Sequence, residues 1–414
     1  MENIKILVEK IKSKQELGKE SIFTLIDKYC KEEYTDEQIL PFIEAVYHNG
    51  LCDNDLFYLT DAMKNSGDVL DLTKLGAVAD KHSTGGVSDT TTIVIAPICA
   101  VLGTKMLKLS GRGLGFTGGT CDKLESFTGY QTDIALDTAM NLVKQNGACM
   151  ITSSKNIAPA DKKIYALRNR TGLVDNIQLI ASSIMSKKLA SGADVIVLDV
   201  KYGNGAFMPN KKQAKLLGKK MKVIGELAGK KMKIVLGKMN QPLGYNVGPM
   251  LETMEAIEIL KGQKNTPLYN DSINLAALCV SLNKNICYYK AKKQVKKAIT
   301  SGLALQKLKA MISAQGGSLD LFEQEYATPT LVVKAPKSGK IVEFNTKQIG
   351  SLVGKLGTVK MNDDDQIHYE YGIRTFHKLG DKVSTNCDLI HIYTPNQEIA
   401  NQLAKDLLEC IVIK

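Results

Sequence analysis

Four short apolar runs constrain this chain more than any other feature: TKMLKLS at 104–110, ACMITS at 148–153, DVIVLDV at 194–200 and MKIVLGKM at 232–239. Each has the length of a strand, and the last two are rich in β-branched residues. A strand that reads as a near-continuous apolar run has both faces covered, which is the state of strands in a parallel sheet. The stretches TTIVIAPICAVLG (91–103) and DTAMNLVKQNG (137–147) read as helices between such runs. Strand–helix–strand repetition predicts an α/β fold, a mostly parallel sheet flanked by helices. An earlier run, LGAVAD (75–80), reads as a further strand leading into a glycine loop.

The flanks read differently. Thr35 and Gln38 have capping-box spacing, and the helix they open is expected to stop at Gly50. A second helical stretch stops at Gly67, and DKKIYALRNRTG (161–172) and IQLIASSIMSKKLASG (177–192) also read as helices. At the other end, KAPKSGKIVEF, YEYGIRTFHKLGDKVS and DLIHIYTP are short extended runs broken by glycine and proline, closed by a helix in NQEIANQLAKDLLECI. The expected organisation is a small all-helical domain at 1–67 joined by 160–193, an α/β domain at 70–159 and 194–330, and a β-rich α+β module at 331–414.

Charge narrows the partners. The 414 residues carry a formal net charge of +11, with lysine doublets at 211–212, 219–220 and 230–231. These lie at helical spacing between apolar residues, as on a solvated face. Neither aromatic interleaving nor a basic tail accompanies them, so no nucleic-acid partner is expected, while an anionic small substrate suits the balance. Nine cysteines without a CxxC pair argue against a zinc site and for free thiols in a reducing compartment. MENIKILVEKIKSKQE has no signal-like apolar stretch, and the most apolar run is too short to span a bilayer. A cytoplasmic protein with no membrane partner is the expectation.

Two glycine-rich stretches carry the chemistry. ADKHSTGGVSDTTTIVIAP (79–97) follows an expected strand and opens a helix, where unpaired N–H groups and the helix dipole favour an anion. Lys81 adds charge, and Ser83 and Thr92 add hydroxyls. KLSGRGLGFTGGTCDKLESF (108–127) repeats the ingredients with Lys108, Ser110 and Thr120. Two loops that follow strands would share the carboxyl edge of a parallel sheet, where ligands bind. Neither matches a P-loop or a GxGxxG fingerprint. On the residues alone, an oxyanion cradle and a pair of tight structural turns both remain open.

The stretches KHSTGGVSDTT, SGRGLGFTGGTCDKLE, DKKIYALRNRTG, SSIMSKKLASGADVIVLDVKYGNGAFM and MNQPLGYNVG closely resemble the signatures of the thymidine and pyrimidine-nucleoside phosphorylase family. The resemblance spans nearly the whole chain. It implies reversible phosphorolysis, in which a pyrimidine nucleoside and phosphate give free base and pentose 1-phosphate. It implies phosphate contacts from Lys81, Ser83, Thr92, Lys108, Ser110 and Thr120, and base contacts from Tyr165, Arg168, Ser183 and Lys187. Tyr165 and Arg168 are three apart and Ser183 and Lys187 four apart, so each pair shares a helix face. Arg168 and Lys187 suit the two carbonyls of a pyrimidine, and Ser183 its imide edge.

The resemblance further implies that His82 hydrogen-bonds or protonates a base carbonyl, that the protein is a homodimer, and that no cofactor is required for the chemistry. A potassium ion near the loops is also implied, at Ser88, Thr90, Leu243, Asn246 and Glu255. Departures are Phe116, where relatives often have histidine, and Ser88, where glycine is common; both bear on the ranking of uridine, deoxyuridine and thymidine. Two rival readings remain. One is a phosphoribosyltransferase using Asp122 and Glu125 around a metal-bound diphosphate, and the other a non-enzymatic basic binding protein.

Overall fold

Thr35 opens its helix as the spacing predicts. Its hydroxyl accepts the Gln38 N–H at 3.4 Å, and the Gln38 side chain accepts the Thr35 N–H at 2.9 Å. The computed structural model describes residues 4–113, 116–154, 156–360 and 365–414. Four helices begin the chain: α1 (Ile4–Lys12), α2 (Lys19–Cys30), α3 (Asp36–Asn49) and α4 (Asp53–Lys64). There follow β1 (Ala79–Ser83), α5 (Thr91–Val101), β2 (Met106–Ser110), α6 (Thr120–Leu124), α7 (Leu136–Asn146), β3 (Ala148–Thr152), α8 (Pro159–Thr171) and α9 (Ile177–Ala190). Next come β4 (Val195–Tyr202), α10 (Lys211–Leu227), β5 (Lys231–Lys238), β6 (Asn246–Val247), α11 (Pro249–Lys261), α12 (Pro267–Lys284), α13 (Tyr288–Thr300) and α14 (Leu303–Ala314). The chain ends with β7 (Leu331–Lys334), β8 (Gly339–Phe344), α15 (Thr346–Val353), β9 (Gly372–Thr375), β10 (Lys382–Val383), β11 (Asp388–Tyr393), α16 (Gln397–Glu409) and β12 (Ile411–Ile413). The fold is α/β, as the alternation predicts.

The chain forms two compact units. The first comprises Met1–Val78, Ser153–Leu198 and Lys212–Ile234, and the second Ala79–Thr152, Asp199–Lys211 and Val235–Lys414. In the first unit α1 to α4, α8 and α9 bury an apolar stripe each, including Leu7, Ile22, Phe42, Leu56, Ile164 and Met185. Gly192, which follows α9, has φ +80°, and a Cβ there would stand 2.4 Å from the Leu70 carbonyl oxygen. Left-handed strain and that clash act together, so Gly192→Ala is expected to destabilise the protein by about 2–3 kcal/mol. Urea unfolding midpoints check this.

In the second unit β2 and β3 pair in parallel, Met106 opposite Ala148 through Ser110 opposite Thr152. Strand β1 belongs to a separate sheet of order β1–β4–β5. One expectation is thereby corrected. The strand read at 75–80 begins at Ala79 and runs to Ser83, so Lys81, His82 and Ser83 lie on a strand and not in the loop. Charged residues fit this buried strand because partners meet them there. The strands before the two glycine loops are assigned to different sheets, yet they adjoin: Ala79 N–H donates to Lys105 O at 2.9 Å, and Lys123 Nζ, just after the second loop, donates to Asp89 O of the first at 2.9 Å, so the two loops lie together. Helix α5 is buried from Thr91 to Cys99, which accounts for its almost wholly apolar sequence.

Residues 331–414 build two antiparallel sheets, β10–β8–β12 and β6–β9–β11–β7, over a core that includes Ile341, Phe344, Ile373, Ile390 and Leu407. The edge strand β6 comes from the middle of the chain and pairs Asn246 with Arg374. A helix is expected from the sequence to close the chain, but β12 follows α16 and pairs with β8, because Ile411-Val412-Ile413 is a β-branched run. Among the described residues no helix is long and apolar enough to cross a membrane.

Candidate active site

In the second unit Lys81 is 1% exposed, and its ammonium hydrogen-bonds the Thr91 hydroxyl at 2.5 Å. Two carboxylates flank it at equal distance, Asp89 and Asp199, each at 3.7 Å. That separation is too long for a hydrogen bond, so Lys81 is held by the field of two anions and by one hydroxyl. An ammonium has three donors. Thr91 passes its own hydrogen to Asp89 Oδ1 at 2.6 Å, which orients it to accept from Lys81. Lys201 stands beyond, 2.9 Å from Asp199 Oδ2 and 3.0 Å from Asp271 Oδ2.

Burial alone would raise the Asp89 carboxyl, but the Lys81 and Lys201 ammoniums and hydrogen bonds from Ser83 and Thr91 hold it far below the usual range. Burial does raise Asp199, against the pull of Lys201 and Lys81. Burial would lower Lys201, yet Asp199, Asp89 and Asp271 together raise it.

The other sequence-derived phosphate residues lie in the same unit. Lys108 on β2 is buried and donates to Asp80 Oδ1 at 3.0 Å and to the Lys81 carbonyl at 2.6 Å. Its charge is therefore anchored to β1. Ser83 and His82 end β1 and are half-buried, Thr92 is buried in the first turn of α5, and Ser110 and Thr120 end β2 and begin α6.

Asp122 organises the second loop. Fully buried, it accepts the Gly113 N–H at 2.6 Å, the Gly119 N–H at 3.1 Å and the Arg112 guanidinium at 3.1 Å. A Cβ on Gly119 would stand 2.5 Å from Gly113 N, so this glycine is required for the loop to fold back on itself. Leu114 and Gly115 of that loop lie outside the described residues. Phe116 is half-buried. Its ring lies 5.2 Å from that of Phe207, with the Lys347 ammonium 5.5 Å away, and it joins the edge of the C-terminal core.

The base-contact candidates lie in the first unit. Helix α8 presents Tyr165, which is exposed, and Arg168, which is 1% exposed. Arg168 donates from Nε to Leu173 O at 3.0 Å, from Nη1 to Leu179 O at 3.4 Å and from Nη2 to Val174 O at 2.7 Å. The turn between α8 and α9 thus clamps the guanidinium flat, leaving two of its five donors. Burial lowers its pKa, opposed by Asp161, Tyr165 and Asp175. On α9, Lys187 pairs with Asp161 and hydrogen-bonds Ser183 Oγ at 3.3 Å. Asp161 went unnoticed in the sequence, although 161, 165 and 168 fall on one face of α8.

The hard-oxygen set also assembles in part. Leu243 N–H donates to Val87 O at 3.1 Å and Gly244 N–H to Ser88 Oγ at 3.0 Å, so the 243–246 stretch lies against the first loop. Ser88 Oγ and Glu255 Oε2 lie 2.6 and 2.5 Å from the point where a Cβ on Gly244 would stand. Two oxygens thus converge on a gap that only glycine leaves. Ser88 has φ +63°, a conformation that favours glycine, and its bond from Gly244 offsets the strain. Glu255 also accepts the Tyr245 and Asn246 N–H groups at 2.9 Å each. Thr90 turns aside and donates to Glu252 at 2.8 Å. Among the described residues no cluster of three or more His, Cys, Asp or Glu is arranged to hold a metal.

Comparison with known proteins agrees along the chain. Residues 75–305 match the family described as glycosyl transferase family, a/b domain, and residues 340–414 the pyrimidine nucleoside phosphorylase C-terminal domain. The chain is 42% identical over 405 residues to pyrimidine-nucleoside phosphorylase of Staphylococcus aureus (strain bovine RF122 / ET3-1), covering 96% of this chain and 94% of that protein. It is 40% identical over 414 residues to the pyrimidine-nucleoside phosphorylase of Staphylococcus haemolyticus (strain JCSC1435), covering 99% and 95%. Among solved structures, anthranilate phosphoribosyltransferase from Thermus thermophilus superposes with a TM-score of 0.59 at 15% identity, covering 75% of this chain and 99% of that one. That last likeness is one of fold.

Proposed function

The chain belongs to the pyrimidine-nucleoside phosphorylase family, and on that premise we propose that it catalyses reversible phosphorolysis of pyrimidine nucleosides to free base and pentose 1-phosphate. The observation that carries this reading is Lys81, a buried ammonium held at the start of a helix with one hydrogen bond among the described residues. A cation placed this way suits an incoming oxyanion. Lys81, Ser83, Thr92, Ser110 and Thr120 would contact phosphate, with Lys108 setting charge from behind.

Breaking the glycosidic bond builds positive character at the sugar carbon and negative charge on the departing base. Phosphate attacks from the opposite face, so the anomeric carbon inverts. The protein's part is positioning and fixed electrostatics. Lys187, oriented by Asp161, and the clamped Arg168 would meet the base carbonyls as negative charge grows there, with Ser183 and Tyr165 on the ring edge. His82 is assigned a proton or hydrogen bond to a base carbonyl. His82→Ala is expected to lower phosphorolysis roughly 100-fold, with altered dependence over about pH 5–8. Near-normal rates across that range would remove the role.

The donors at Ser88, Leu243, Asn246 and Glu255 suit a hard alkali cation such as potassium. The ion would supply structural charge between the two stretches and take no part in bond breaking. A homodimer and a cytoplasmic setting complete the proposal, the latter supported by nine free thiols. Uridine, deoxyuridine and thymidine are the proposed substrates. Phosphate-dependent release of uracil and thymine from ribo- and deoxyribonucleosides tests the reading; no release from any of them rejects it.

A phosphoribosyltransferase draws support from the shared fold alone. The acids it would need are engaged internally. Asp122 is bound to Gly113, Gly119 and Arg112, and Glu125 to Arg112, to Thr132 at 2.5 Å and to Tyr369 at 3.3 Å.

A further inference from the structure

We propose, resting on the phosphorolysis reading above, that Lys201 is a positioning residue for the phosphate subsite, engaging Asp199 so that the Lys81 ammonium stays available to phosphate. Asp199 Oδ2 lies between two ammoniums, 2.9 Å from Lys201 and 3.7 Å from Lys81. The first distance is a close ion pair, in which neither Asp199 oxygen meets hydrogen-bond geometry, and the second is a longer-range attraction. Asp199 and Lys201 are two apart on β4 and so share a face, while Lys81 comes from the neighbouring strand β1. All three are at most 1% exposed, so water does not compete for Asp199.

Without Lys201, the cation left beside this carboxylate is Lys81. A buried, unpaired carboxylate is strongly unfavourable, so Asp199 would draw Lys81 into a direct pair. Closing from 3.7 Å to hydrogen-bond distance commits one more Lys81 donor and sets against it, in direct contact, the negative charge that phosphate would otherwise meet it with. The fold invests in Lys201. A Cβ on Gly237 of β5 would stand 2.7 Å from Lys201 Cδ and 2.8 Å from Nζ, so the neighbouring strand leaves room for this side chain. Asp271 on α12, which is partly exposed, holds Lys201 from the other side at 3.0 Å.

The test uses the full chain as wild type, Lys201→Gln and the double variant Asp199→Asn/Lys201→Gln. It measures the KM for phosphate and for uridine, and phosphate affinity by calorimetry. Lys201→Gln is expected to raise the phosphate KM and Kd at least about tenfold, with the uridine KM within about twofold. The double variant removes both charges together and is expected to return the phosphate values to within about threefold of wild type. An unchanged phosphate KM in Lys201→Gln, an equal shift in both KM values, or no recovery in the double variant overturns the proposal. If Lys201→Gln does not fold, the double variant decides alone, since a tenfold rise there overturns it. If the wild type binds phosphate but releases no base, phosphorolysis fails as a reading and calorimetry still decides the part of Lys201. If it binds no phosphate, both fail.

Discussion

Asp122→Ala is expected to raise the KM for phosphate roughly 30- to 100-fold while leaving the nucleoside KM within about threefold. Asp122 is fully buried and accepts three hydrogen bonds, from Gly113, Gly119 and Arg112. Alanine leaves the Gly113 and Gly119 N–H groups without their acceptor, while Arg112 keeps Glu125, at a cost of about 2–4 kcal/mol. That cost falls on the one loop whose two ends Asp122 ties together. Ser110 and Thr120 flank the loop, so their hydroxyls lose registration with each other. The base-contact residues lie in the other compact unit, which is why the nucleoside KM is the control. Asp122→Asn keeps an acceptor oxygen and is expected to fall between wild type and alanine. Steady-state kinetics with phosphate varied, beside a thermal unfolding curve, decides the matter. A phosphate KM unmoved by Asp122→Ala would remove the second loop from the phosphate subsite.

Lys187→Ala is expected to lower kcat roughly 100- to 1,000-fold, the scale for deleting one preorganised donor to a developing anion. Lys187 is held by Asp161 and by Ser183, so its ammonium is placed before the base leaves. Its side chain is partly exposed, and removal leaves Asp161 to recruit water, so stability falls by about 1 kcal/mol or less. The leaving group supplies the sharper measurement. A nucleoside whose pyrimidine carries an electron-withdrawing fluorine needs less help to depart as an anion. The deficit of Lys187→Ala is therefore expected to shrink for that substrate by about tenfold. Equal deficits with both nucleosides would mean that Lys187 only binds the base.

Arg168 shows where sequence reasoning stops. Its spacing from Tyr165 identifies a helix face, and the resemblance identifies a ligand. Neither shows that the carbonyls of Leu173, Val174 and Leu179 grip the guanidinium. Those bonds require the turn after α8 to close over the side chain, which depends on where α9 packs. The glycines of the second loop are similar. Their number signalled close backbone approach, and the structure identifies part of that approach as Gly119 against Gly113. Lys108 was legible as a charge beside a hydroxyl, but its partner, Asp80, is 28 residues away and invisible to any local pattern. Asp161 alone left a trace, in its helical register with Tyr165 and Arg168.

The alternation of apolar runs and amphipathic stretches by itself determined the α/β class, the helical start and the β-rich end. Backbone preference and apolar periodicity act over a few residues, so they can be read along the chain. Tertiary structure alone decided which carboxylate faces which ammonium: Asp199 and Asp89 about Lys81, Asp80 against Lys108, Lys201 behind Asp199. Coulomb energy depends on separation in space and on burial, and strands distant in sequence become neighbours only once the sheet has formed.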